Sequence, residues 1–205
     1  MQWTCSWPPR ICDASSHVVG GVIIRKQLPC IPTVFQMEWP EAIRMNLVTQ
    51  NNPTGLINNS DLEMGGILLL WLIIEKIIFS LQERNVAIYC NKSPSVGWVT
   101  CLASESSIIG GRLIHALSLW MKQAHTCPIT TLHIPRNENV ISNIPSRSFG
   151  SMPSWHCTLH NTLLTLFNST FPLPQWNSWA IFQLTSFRSC WWSIPLWMSG
   201  INYQM

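Results

Sequence analysis

The stretch "HIPRNENVISNIPSRSF" runs from His133 to Phe149. It joins two different patterns. The β-branched run "PITTLHI" (128–134) reads as a strand, and "NENVISNIPSR" (137–147) reads as a short polar helix or turn. Upstream, "GRLIHALSLWMKQA" (111–124) spaces Leu113, Ala116, Leu117 and Trp120 as one face of a helix. "SPSVGWVTCLA" (93–103) starts another helix, with Pro94 in its first turn. "NVAIYC" (85–90) is a short buried strand.

The apolar body of a further helix runs from Ser60 to about Ser80, where Ser60 and Glu63 match a capping box. "QNNPTG" (50–55) is a turn-rich loop. "TVFQMEW" (33–39) alternates as a strand does, and "RICDASSHVVGGVII" (10–24) reads as two strands around a polar Asp-Ala-Ser-Ser turn. The order is β-β-β-α-β-α-α-β-α. It predicts an α/β fold with a mixed sheet and helices packed on it.

Composition narrows the function classes. The chain has 205 residues, one sizeable domain or a domain with an appendage. Charged residues make up 10%, against roughly 25% in typical soluble domains. A net charge of +3 does not by itself argue for nucleic-acid binding. The opening "MQWTCSWPPR" lacks the pattern of a secretory leader. The run "GGILLLWLII" (65–74) is shorter than the roughly 20 residues of a membrane helix and reads as buried. An intracellular, non-secreted protein with no membrane partner is expected. The eight cysteines contain no C-x-x-C and read as free thiols, and the sequons at Asn91 and Asn168 carry no meaning there.

Residues 150–205 differ from the rest. From Ser151 onward the only charged residue is Arg188, and six of the 12 tryptophans sit there without period. The expected division is a domain over 1–149 and an irregular, hydrophobic, Trp-rich tail over 150–205, a packing appendage of unknown role. Within it, "WHCTLH" offers His156, Cys157 and His160, a spacing that can ligate zinc. No second ligand pair lies near it.

Four motifs, taken together, resemble the ribonuclease H-like domains of retrotransposon polyproteins. "CDASSHVVGGVI" is similar to the family's opening strand, and "NSDLEMGG" to the acidic start of its first helix. "IYCNKSPSVGWV" resembles the strand end that carries an aspartate. "HIPRNENVISNIPSRSF" resembles the family's "HIPGKEN…AD…SRSF" ending. The motifs fall in the family's order over residues 10–149, about two-thirds of the chain. The resemblance implies a mixed five-stranded sheet flanked by helices. It also implies an endonuclease that hydrolyses the RNA strand of an RNA–DNA hybrid, followed or preceded by the remainder of a pol polyprotein with its reverse transcriptase.

That chemistry uses four carboxylates around two magnesium ions roughly 3.5–4 Å apart. Carried over residue by residue, the catalytic positions are Asp13, Glu63, Asn91 and Asn143, and the metal ligands among them are Asp13 and Glu63. Two neutral amides stand where carboxylates belong. Two carboxylates cannot balance four positive charges, so weak or lost magnesium binding and little hydrolysis are expected. The chain holds two aspartates but 14 asparagines, and Arg136 replaces the motif's glycine. Each departure can arise from one guanine-to-adenine change. A retroelement remnant decayed by transitions accounts for this direction.

Blander readings stand beside these. Glu63 could serve only the capping box, and Asp13 could be a turn-former. His133 could be a strand-end hydrogen-bonder. Lys92, Arg112, Arg136 and Arg147 could line a hybrid groove or be ordinary surface charges. Asp61 and Glu138 are the acids nearby that an active enzyme would have to recruit. A non-catalytic module holding nucleic acid or a protein partner on the same fold is the reading from another class.

Overall fold

The computed structural model describes residues 10–23, 33–77, 85–147 and 180–183. One mixed sheet organises them. Strands β1 (Arg10–Ala14), β2 (Val18–Ile23) and β3 (Thr33–Glu38) form an antiparallel meander. Ser15 makes the first turn. Its amide donates to Val18 O, and its hydroxyl accepts from the amides of His17 and Val18. Such local side-chain bonds are why serine favours turns. Strands β4 (Ala87–Cys90) and β5 (Thr130–His133) run parallel to β1 on its other side. The order is β5-β4-β1-β2-β3-β6.

The last strand, β6 (Ala180–Gln183), pairs parallel with β3. It comes from the stretch read as an irregular tail, so the sheet has a sixth strand beyond the five expected. The rest of the tail, including His156, Cys157, His160 and the sequon at Asn168, lies outside the described residues. A short helix α1 (Glu41–Met45), also not anticipated, follows Pro40. It is held by the Arg44–Glu38 ion pair at 3.0 Å.

Helix α2 (Asn59–Ile77) packs on β1 and β2 with its inner side and on α3 and α4 with its outer side. Its residues from Asp61 to Ile74 are all buried, which explains an apolar run with no polar face. No helix of the described residues is long and apolar enough to cross a membrane. Helices α3 (Ser93–Cys101) and α4 (Ile108–Gln123) complete that side. Helix α5 (Val140–Arg147) lies on the opposite face, against β1, β2 and β3. The α/β architecture with a mixed sheet flanked by helices is therefore as expected.

The start of α2 corrects one expectation. The helix begins at Asn59, and its cap is Asn58, not Ser60. Asn58 Oδ1 accepts from the amides of Ser60 and Asp61, and Asp61 Oδ2 accepts from the amide of Asn58. This is a reciprocal capping box two residues earlier than the one read in the sequence. Asp61 is thereby committed to the helix end, where its other oxygen accepts from Ser107 Oγ. Ser107 in turn caps α4 by accepting from the Gly110 amide at 2.9 Å. Glu63 is left free of any capping role and turns inward.

Candidate functional site

Three elements converge where β1 and β4 end. Asp13 is the penultimate residue of β1 and is only 3% exposed. Asn91 follows the last residue of β4, and its Nδ2 donates to Asp13 Oδ1 at 2.8 Å. From the other face, Ser146 of α5 donates its hydroxyl to Asp13 Oδ2 at 2.5 Å. Both carboxylate oxygens thus receive a neutral donor. A buried charge needs such partners. Asn139 of the loop before α5 adds a bond from its Nδ2 to the carbonyl of Cys12 at 3.4 Å.

Asn143 does not join this contact. Its Oδ1 accepts from Arg147 Nη2 at 3.2 Å, one turn along the exposed side of α5. Ser146, three residues on, meets Asp13 instead. Serine carries no acidic signal, so a search for carboxylates passes over it. Its place in the "IPSRSF" ending was the only clue.

Glu63 lies on the far side of the strand end. It is 4% exposed and accepts from the Cys90 thiol at 3.6 Å. Burial, reinforced by Cys90 and Asp13 nearby, raises its pKa well above the usual carboxylate range. Burial thus favours the protonated carboxyl over the ionised one. Cys90 faces Cys12 of β1, and the contact between the two thiols together with burial raises the Cys12 thiol well above its usual value. Neither cysteine could be paired with Glu63 from sequence, because the three residues are brought together only by the sheet and α2.

As placed, these side chains do not fit a pair of divalent cations. Asp13 has both oxygens committed to donors. Asn91 presents its NH₂ to Asp13, and an amide oxygen carries no charge to balance a cation. Glu63 is buried, and burial disfavours the anionic oxygen that a hard cation demands. Among the described residues no group of three or more His, Cys, Asp or Glu side chains is placed to hold a metal ion. Of the alternative acids, Asp61 is tied to two helix ends, and Glu138 sits in the loop before α5 with its Oε2 unpaired.

The basic residues divide by exposure. Lys92 and Arg112 are half-buried, while Arg136 and Arg147 are exposed. Lys92 occupies the cap position of α3, next to Asn91.

No family pattern matches the chain, and no curated protein matches it. Among solved structures, the chain is similar to the RNase H1 of the halophilic archaeon Halobacterium salinarum NRC-1. The TM-score is 0.45 and the identity 11%, over 65% of this chain and 89% of that one.

Proposed function

We propose that this chain is a ribonuclease H-like domain of retroelement origin that no longer cleaves nucleic acid. Its ancestral activity was magnesium-dependent hydrolysis of the RNA strand in an RNA–DNA hybrid. The supporting observation is the state of Asp13. Its two oxygens are taken by Asn91 and Ser146, so the one catalytic carboxylate expected on the sheet is internally satisfied. Burial raises the pKa of Glu63, the other expected carboxylate, and so disfavours its anionic form.

The test is cleavage of a labelled RNA–DNA hybrid in Mg²⁺ and in Mn²⁺. The natural chain is compared with Asn91→Asp plus Asn143→Asp, and with the same pair plus Ser146→Ala, which frees Asp13 Oδ2. The natural chain is expected to be inert. Cleavage by the natural chain overturns the reading. Cleavage by the triple variant alone would place the block at Ser146 as well as at the two amides. The retroelement origin has its own test in the DNA. Intact sister copies should differ from this locus mainly by transitions.

A second reading is a module that holds nucleic acid without cutting it. Lys92 beside Asn91, and Arg147 bonded to Asn143, put a cation next to each amide that replaces a carboxylate. Hybrid binding that weakens steeply with salt, without cleavage, distinguishes this reading.

A further inference from the structure

The buried sulfurs behind the site belong to neither reading. Cys12 and Cys90 are free thiols on neighbouring parallel strands, and neither exposes any surface. The register sets Ile11 opposite Tyr89, so the following residues, Cys12 and Cys90, are also neighbours. Side chains alternate along a strand. Ile11 and Tyr89 pack together in a small cluster with Ile134. Cys12 and Cys90 lie in the main core beneath α2, on the opposite face. Both therefore point the same way, and the thiols lie against each other. Adjacent strands run about 4.8 Å apart, inside the Cα separation of about 4.4–6.8 Å that a disulfide spans.

We propose that Cys12 and Cys90 form a redox pair, an intramolecular disulfide site closed in the folded chain by hydrogen peroxide and reopened by a dithiol only when the fold opens. Both sulfurs are fully covered, which selects an oxidant close to water in size. Peroxide oxidises one thiol to a sulfenic acid and releases one water. The second sulfur attacks that sulfenic sulfur, the S–S bond forms, and a second water leaves. Two thiols and one peroxide give one disulfide and two waters, with two electrons passing from sulfur to peroxide. A dithiol is too large for the covered sulfurs, so it reverses the step by exchange only once unfolding exposes them.

The bond has a consequence at the site. Cys12 precedes Asp13 and Cys90 precedes Asn91, so closure pins the two strand ends that carry the Asp13–Asn91 contact. It also removes the thiol proton that Cys90 gives to Glu63. The redox state of the pair sets whether Glu63 has its thiol partner beside the Ala14 backbone.

The experiment reads mass, not cleavage, so it stands or fails apart from the proposed function. The folded full chain is treated with peroxide, alkylated under denaturing conditions and digested with trypsin without reduction. Trypsin leaves Cys12 in Ile11–Arg25 and Cys90 in Asn85–Lys92, each the only cysteine of its peptide. The expected dominant product is these two peptides joined, lighter by two hydrogens than their sum and released by dithiothreitol. A chain unfolded in urea before oxidation should lose that preference among its eight cysteines. In Cys12→Ser the lone Cys90 should stop at sulfenic acid, which a cyclic 1,3-dione added together with the denaturant should trap. Recovery of Cys12 and Cys90 as alkylated thiols overturns the proposal. So does preferential pairing of either with another cysteine, or the same linked product from the urea-unfolded chain.

Discussion

Asp13 shows how one buried charge is made tolerable. A carboxylate in an apolar interior is expensive unless each oxygen finds a donor, and here Asn91 and Ser146 supply one each. Hydrogen bonds to a charged group contribute about 1.5–3 kcal/mol net. Ser146→Ala is therefore expected to destabilise the chain by about that amount, read from the shift of a urea unfolding curve at neutral pH. An unchanged curve would mean that water replaces the hydroxyl without loss.

Glu63 behaves in the opposite sense, because burial raises its pKa in the folded chain. The folded state then holds the proton more tightly than the unfolded state does. Its contribution is fully present below the ordinary carboxyl value of 4.5 and is lost as pH rises from there toward the raised folded value. Glu63→Gln cannot titrate, so its stability should fall less than that of the natural chain between pH 4.5 and neutrality. Urea midpoints at a series of pH values check this. Two parallel curves would assign the titration to another group.

At the scale of elements, α5 is held close by a missing side chain. A Cβ on Gly20 of β2 would come within 2.7 Å of Ser146 N and 2.8 Å of the Pro145 carbonyl carbon. Those are backbone atoms, which cannot swing away. Gly20→Ala is expected to lift α5 from the sheet, stretch the Ser146–Asp13 bond and cost about 1–3 kcal/mol or more. A wild-type unfolding midpoint would show that α5 can slide without loss. The cap of α2 gives a milder test. Asn58→Ala should cost about 1 kcal/mol, whereas Ser60→Ala should cost less, because Asn58 and not Ser60 caps the helix.

These same elements mark what the sequence makes legible. Alternation and β-branching locate the strands, and the apolar run locates α2, because both patterns follow from burial. The capping box was misplaced because Asn58/Asp61 and Ser60/Glu63 satisfy the same spacing two residues apart. Only packing shows which acid turns inward. Asp13 and Asn91 are found by motif order, but Ser146 and the Cys12–Cys90 pair are not. A hydroxyl in a polar helix and two thiols on strands far apart in sequence carry no local signal of their contact. Helix α1 escapes notice because five residues between Pro40 and a loop are too few to show a period.

Over the whole molecule, the sheet's two edges are treated differently. At one edge β5 is a four-residue strand whose Thr130 and His133 are exposed, and short polar edges resist pairing with other chains. At the other, β3 carries a fully buried Val34, Phe35 and Met37, and β6 pairs with it from Thr33 to Gln36. "AIFQ" was invisible as a strand because four residues in a charge-poor segment fit many patterns. Its pairing depends on β3, almost 150 residues away in sequence. Without β6, four residues of β3 would present unpaired backbone groups beside a strongly apolar strand, the arrangement that templates association. Two truncations isolate this effect. A chain ending at residue 183 keeps β6, and one ending at residue 179 lacks it, while both lack everything beyond. The shorter chain is expected to associate with rising concentration in sedimentation velocity and light scattering, and the longer one to resist. Equal behaviour of the two would show that β6 does not protect the β3 edge, and that whatever keeps that edge from pairing lies elsewhere in the chain.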